Sequence, residues 1–377
     1  MYDIGIIGAG PAGATLARLL ADRYRILLLD SGRKKCCGGI LTVKSQAVLA
    51  KLDLALPKGV LVDPQPFAVT IMDWDNRLVR SYARQYVNID RDAFDRWILS
   101  LVPQSVDVRS NAVYQKSETS GNGLTLHFRE NEEIKTAQVR WLVGADGAFS
   151  AVRREFFPNV LMPKRYIAVQ HWFEQDVVSV APNFGIDLWS DYIGIFDSAL
   201  TDFYIWMIPK CQQLILGGAF PLETNKASRE NQGSRGLCPR TNASATMQIV
   251  KEKLESLGLR FGSPSKREAG QILRPLRQTS LCFGDARTIL VGEASGLISP
   301  SSAEGISGAL VSALHLAEAF RQAGQKTDFD PSLYRRLLRN RLWRLWLNRY
   351  KMPLMFNPRL RKHVMLSGLT ALRKPND

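Results

Sequence analysis

The chain has 377 residues, 45% of them hydrophobic, which is enough to bury a core for two domains and excludes a disordered polymer. Its formal charge of +15 is concentrated, since residues 331–377 hold twelve Lys plus Arg against one acid, and the remainder is nearly neutral. With no zinc-finger spacing and no RNP-like strand, that distribution speaks against a nucleic-acid reader. The five cysteines (Cys36, Cys37, Cys211, Cys238, Cys282) show no C-x-x-C spacing, so thiols are expected rather than a disulfide framework, and no metal site. The first residues run into an apolar strand without a basic leader, and no later apolar run approaches the ~20 residues of a membrane span, so a cytoplasmic location is expected.

In chain order, Tyr2–Ile7 reads as a buried strand, Ala14–Leu20 as a helix and Ile26–Leu29 as a second strand ending in Asp30. Between the first two lies Gly8-Ala9-Gly10-Pro11-Ala12-Gly13, a G-x-G-x-x-G turn. Gly8 permits the tight turn, Gly10 lets backbone approach a pyrophosphate, and Gly13 allows close packing of helix on strand. The helix N-terminus then offers free N–H groups to the phosphates, and Asp30 stands where a carboxylate accepts from ribose hydroxyls. A strand Trp141–Gly144 runs into Asp146-Gly147 and the basic helix start Arg153-Arg154. Strands over Tyr166–Phe173, Tyr192–Phe196, Phe203–Ile208 and Leu214–Phe220 predict an antiparallel sheet, followed by a long surface loop, Leu222–Thr246. A last strand, Thr288–Val291, ends in Gly292-Glu293, and Glu304-Gly305-Ile306 opens an alanine-rich helix. Signals for one dinucleotide site near residues 8, 30, 146 and 292 imply interleaved rather than consecutive domains.

At these residues the sequence resembles the group A flavoprotein monooxygenase superfamily. Within it, the resemblance is to the geranylgeranyl reductase family and especially its bacterial CbrA-type flavoproteins. Carrying the closer match are Cys37-Gly38-Gly39, Asn88–Asp95, Tyr204–Pro209 and Gly292–Gly296. The resemblance implies non-covalent FAD, with Arg91 on the pyrophosphate and Ser31 and Val113 among the cofactor-binding residues. It further implies Asp146 and Gly147 as the family's D-G pair, Glu293 in place of the more usual Asp on the ribityl chain, and Gly305 and Ile306 beneath the isoalloxazine. Cys36 and Cys37, with Gly38 and Gly39, fall in the loop beside the flavin, where the thiols are either catalytic or small packing residues. Tyr204 and Trp206 either line an isoprenoid tunnel or fill the core. The implied reaction is reduction of a prenyl C=C bond, with NADPH or reduced ferredoxin as donor. An aromatic hydroxylase or halogenase and a non-catalytic prenyl-lipid-binding protein remain alternatives.

The expected fold is α/β: a Rossmann-type FAD-binding domain (1–57, 88–165, 268–330) interleaved with an antiparallel substrate domain (58–87, 166–267), plus a basic C-terminal helical region (331–377). In the last part, apolar positions 334, 338, 342 and 345 recur at helical spacing over Tyr334–Tyr350. They predict either an amphipathic helix on an anionic membrane surface, peripheral on its inner face, or a helix packed on the FAD domain.

Overall fold

Apolar residues on both faces mark a strand buried between layers, and Tyr2–Ile7 lies near the centre of a seven-stranded sheet. The computed structural model describes residues 1–222, 243–324, 329–369 and 371–372. Tyr2–Ile7 pairs in parallel with Ile26–Asp30, which pairs with Asp107–Ser110, and on its other side with Glu133–Gly144. Glu133–Gly144 serves two neighbourhoods. Its first half alternates exposed and half-buried residues and pairs antiparallel with Gly123–Glu130, whereas its last three residues pair in parallel with Thr288–Leu290. The helices Pro11–Leu20 and Ile306–Ala323 cover one face through Leu16, Leu20, Leu316 and Phe320.

A second seven-stranded sheet has the order Lys266–Arg274, Lys164–Glu174, Gln213–Pro221, Ile205–Lys210, Tyr192–Phe196, Ala68–Asp73, Leu78–Ala83. Every neighbouring pair is antiparallel except Tyr192–Phe196 with Ala68–Asp73. The four strands read from sequence are all here, with ends moved by up to a few residues. Lys266–Arg274, which the sequence reading gives to the FAD-binding part from residue 268, pairs along its length with Lys164–Glu174 in the second sheet. Helix Ala243–Ser256 covers one face through Met247, Val250 and Leu254, so Ala243–Thr246 is helical rather than loop. The rest of that expected loop, from 223 to 242 and including Cys238, lies outside the described residues.

The C-terminal helix is longer than predicted, Pro331–Phe356, and is followed by Pro358–Leu366. The predicted apolar stripe is consumed by packing: Tyr334, Leu338 and Leu345 are buried and Leu342 is half-buried against the core of the first sheet. Tyr334 and Leu338, both fully buried, therefore face protein, not lipid. The far end of the helix reaches the second sheet, where Phe356 stacks on Phe203 with centroids 5.5 Å apart. Among the described residues no helix is long and apolar enough to cross a membrane.

Candidate functional site

Each glycine of the first turn answers a different demand. Gly8 has φ +101°, and a Cβ there would stand 2.7 Å from the Ala145 carbonyl oxygen. A Cβ on Gly13 would stand 1.9 Å from the Gly8 carbonyl oxygen, so helix and strand could not approach as they do. Gly10 is neither strained nor crowded: its φ of −67° suits any residue, and nothing lies within 4 Å of a Cβ built on it. Neither backbone nor packing explains a glycine at that position. Space reserved for a ligand does, and Gly10 is also the N-cap of Pro11–Leu20 without any side chain capping it.

Carboxylates around the turn supply the remaining fit. Asp30 ends its strand without a described partner, followed by half-buried Ser31. Val113 is half-buried on Ala112–Ser120, whose Ala112 packs with Leu27 and Leu29 of the Asp30 strand. Asp146 accepts from the N–H groups of Ala151 (2.7 Å) and Val152 (3.3 Å) through Oδ2, while its buried Oδ1 has no partner. Burial raises its pKa. Next to it Gly147 has φ +74° with open space on its Cβ side. An orphaned buried acceptor, an unpartnered carboxylate and an uncapped helix start, all at the C-terminal ends of neighbouring parallel strands, suit a polar, phosphate-bearing dinucleotide.

The other end of the site is built on Gly292–Ser295 and the start of Ile306–Ala323. Gly292 turns at φ +60° with its N–H bonded to Ser312 Oγ at 2.8 Å. The buried Glu293 is engaged on both oxygens, by the Leu273 N–H at 2.9 Å and by the Lys35 ammonium. Gly305 caps Ile306 without a side chain of its own; Glu304 does that work, accepting from Ser307 N–H (2.6 Å) and Ser45 Oγ (3.0 Å) beside Arg341. Arg153, 1% exposed, clamps this turn to its neighbours through the carbonyls of Ala294 (3.0 Å) and Ser280 (2.7 Å). Lys35 carries no signal in the sequence, and Glu304 and Arg153 are legible there only as marks of helix starts.

Arg91 begins helix Arg91–Ser100 and grips Asp95 with two hydrogen bonds, 2.8 and 3.0 Å. Burial alone would lower its pKa, but Asp95 and the neighbouring Cys37 outweigh it and hold the guanidinium charged. The structure thus sets Arg91 against both Asp95 and Cys37.

The loop from Lys35 to Gly39 closes the site under the second sheet, and its two thiols part company. Cys36 turns into the apolar cluster of Trp206, Ile208 and Ile215, and burial pushes its pKa up to about 12. Its placement is that of a packing residue. Cys37 is half-buried, its sulfur accepts from Gly39 N–H at 3.5 Å, and it faces Arg91. Gly39, at φ +62°, lies so near the Ile89 carbonyl oxygen that a Cβ would come within 2.2 Å.

Two buried polar residues of the second sheet hold this loop, and neither was singled out from sequence. Lys210 donates to the carbonyls of Gly39 (3.1 Å) and Ile89 (2.8 Å) and to Asn88 Oδ1, and burial lowers its pKa to about 7. Gln170, with its amide oxygen facing them, accepts from Gly38 N–H and the Trp206 indole N–H, both at 3.2 Å. Trp206 lies across Gly217, where a Cβ would meet its Nε1 at 2.4 Å. Tyr204 stands just before the strand Ile205–Lys210, its ring 5.7 Å from that of Trp206 and its hydroxyl on the Ser302 carbonyl at 2.9 Å. Tyr192 and Tyr86 continue the aromatic wall, and burial raises all three phenols, Tyr204 to about 12, so they stay neutral.

No family model matches the chain. The protein CbrA of Escherichia coli O6:H1 is 34% identical over 384 residues, spanning 100% of this chain and 96% of that protein. CbrA of Shigella flexneri serotype 5b matches at the same identity and coverage. Among solved structures, a geranylgeranyl bacteriochlorophyll reductase-like protein from Thermoplasma acidophilum superposes with TM-score 0.75 at 19% identity, over 96% of this chain and 90% of that one. A flavin-dependent brominase triple mutant gives TM-score 0.67 at 18% identity over 97% and 94% of the two chains. The probable FAD-dependent monooxygenase pqsL of Pseudomonas aeruginosa gives 0.64 at 17% over 97% and 99%. These likenesses fix the fold as that of FAD-dependent oxidoreductases, and the full-length identity to the curated relatives means that the chain belongs to the CbrA family.

Proposed function

We propose that this protein is an FAD-dependent oxidoreductase that reduces C=C bonds of a prenyl or polyprenyl lipid. The observation that carries the reading is the uncharged aromatic wall of Tyr86, Tyr192, Tyr204 and Trp206 over the Cys37–Gly39 loop. Its neighbouring charges are spoken for: Lys210 is held by three acceptors and Glu268 by Trp172 and Lys266. Such a wall favours an apolar chain over a charged substrate. The Thermoplasma structure, described as geranylgeranyl bacteriochlorophyll reductase-like, supports the same class. Lys210 also weighs against halogenation, because its ammonium bonds loop carbonyls instead of facing an open cavity.

FAD would lie between Gly10, Asp30, Asp146 and the start of helix Ile306–Ala323, and when reduced it supplies the hydride, that is, both electrons. Saturating the double bond also takes one proton, and Cys37 Sγ is this chain's donor, reloaded from water. The Arg91 guanidinium stands beside that sulfur. The aromatic wall orients the chain and excludes water. Reductant comes from outside, NADPH or reduced ferredoxin, since no separate nicotinamide-binding unit stands out in the sequence.

Single-turnover reduction of a prenyl substrate by dithionite-reduced protein, followed by mass spectrometry of the product, tests this. Cys37→Ala should keep flavin and slow the step by about 100-fold or more, the usual reach of a positioned acid. Cys36→Ala should leave the rate within a few-fold. Trp206→Ala should weaken prenyl binding about 10-fold by removing a large apolar contact. Unchanged turnover in Cys37→Ala rejects the acid; absence of any reduced prenyl product rejects the reaction.

A further inference from the structure

We propose that a groove beside the C-terminal helix binds the headgroup and upper acyl chain of an anionic phospholipid, and so seats this face on an anionic bilayer. The groove is a cavity of about 280 Å³ between helix Pro331–Phe356 and the segment 275–283, and none of the flavin-side residues lines it. Phe283, Leu345 and Trp346 line it, and Arg277, Arg335 and Arg349 stand around it. All three arginines are exposed, and none has a carboxylate within 4 Å among the described residues. Arg335 rests over the Phe283 ring with its guanidinium 6.0 Å from the centroid. Neither Pro331–Phe356 nor Pro358–Leu366 contains a single acid to neutralise them.

The apolar lining continues out of the groove. Trp346 stacks against Trp343 at 6.5 Å and meets Tyr350 edge-on at 5.2 Å, and those two rings are 60% and 63% exposed. Leu347 and Leu354 extend the exposed face along the same helix. Leu345 joins this face to the stripe of Tyr334 and Leu338, which the core of the first sheet already covers. Three unpaired guanidiniums around an apolar floor match a phosphodiester attached to an acyl chain. A free phosphate would leave the floor wet, and a nucleic acid would bring no acyl chain to fill it. Indole and phenol rings at the rim suit the boundary between headgroup and hydrocarbon. The inference does not depend on the reaction proposed above.

Flotation of the full-length protein with vesicles provides the test. Binding is expected to vesicles of phosphatidylcholine mixed with phosphatidylglycerol, not to phosphatidylcholine alone, and to fall as salt rises. Arg335→Ala/Arg349→Ala should weaken it roughly 30-fold, as two basic contacts at an anionic surface would. Trp343→Ala should weaken it several-fold. The pair Arg129→Ala/Lys116→Ala, outside the groove, removes the same charge and should change binding by less than about two-fold. Thermal unfolding followed by circular dichroism verifies that each variant is folded. The proposal is overturned by no binding to the anionic vesicles at low salt, or by equal loss in the two double variants. It is also overturned if inorganic phosphate at millimolar concentration releases the protein, or if a single-stranded oligonucleotide binds the groove more tightly than the vesicles do.

Discussion

Gly10→Val should give protein that folds but carries no flavin, with FAD affinity reduced at least about 100-fold, equivalent to ~2.7 kcal/mol. The backbone at Gly10 (φ −67°, ψ −174°) is open to valine, and a Cβ there meets nothing within 4 Å. The added side chain therefore enters only the space where the dinucleotide's phosphates would approach the helix start. Valine at an N-cap also costs about 1 kcal/mol of helix stability, a small charge against a domain of this size. Gly13→Ala is the control that separates ligand from fold. Its Cβ would sit 1.9 Å from the Gly8 carbonyl oxygen, so helix and strand must part, and the loss should appear in the thermal midpoint. Flavin released from the parent should be FAD rather than FMN, because Asp30 and the pyrophosphate turn serve an adenosine half. Parent-level flavin in Gly10→Val would remove the site from this turn.

The turn could be read from sequence because its glycines answer local demands of backbone and packing. Glu133–Gly144 was half legible: Trp141–Gly144 reads as a buried strand, while the residues before it alternate half-exposed and exposed on the open part of the sheet. The sheet to which Lys266–Arg274 belongs is not legible locally, because only its pairing with Lys164–Glu174, a contact across about a hundred residues of chain, reveals it. The C-terminal stripe was seen correctly as a stripe, yet periodicity cannot say whether an apolar face meets protein or lipid. Lys210, Gln170 and Lys35 were missed for a related reason, since each acts on residues more than a hundred positions away in sequence. A signal was present for the first two. A lone lysine closing the apolar strand Ile205–Lys210, and a glutamine amid Tyr166–Phe173, are polar groups bound for burial, and buried polar groups find partners.

Arg361→Ala should destabilise the protein by about 3–5 kcal/mol, the range for stripping one partner from a buried ion pair. The guanidinium side chain is 6% exposed and Asp73's carboxylate is fully buried. Nη2 donates to Asp73 Oδ1 (2.8 Å) and Asp75 Oδ2 (2.5 Å), and Nη1 to the Met355 carbonyl (2.8 Å). Asn76 adds a second tie, donating from Nδ2 to Asp73 Oδ2 at 2.7 Å and to the Pro358 carbonyl at 2.9 Å. This network fastens the C-terminal helices to the turn after Ala68–Asp73. It thereby holds Phe356 on Phe203, beside Tyr204 of the aromatic wall. Burial alone would raise the Asp73 pKa, but Arg361 and Asn76 more than reverse it and the carboxyl titrates below its ordinary 3.8. A depressed folded pKa stabilises the protein above the unfolded value and is lost as pH falls through the folded one. In the variant the buried Asp73, left with Asn76 as its partner and no positive charge, should titrate higher, and protonation would relieve it. The gap in stability between parent and variant should therefore be full at neutral pH, narrow as pH falls through the variant's raised pKa, and be smaller at pH 4 than at pH 7. Arg361→Lys should recover only part of the loss, because a lysine has no second nitrogen to reach the Met355 carbonyl while it bonds the two carboxylates. Urea midpoints of the three proteins at pH 7 and pH 4 measure this, and prenyl binding by the alanine variant reports whether Phe356 has left the wall. Equal midpoints at pH 7 would mean that the C-terminal helices are held by their apolar contacts alone.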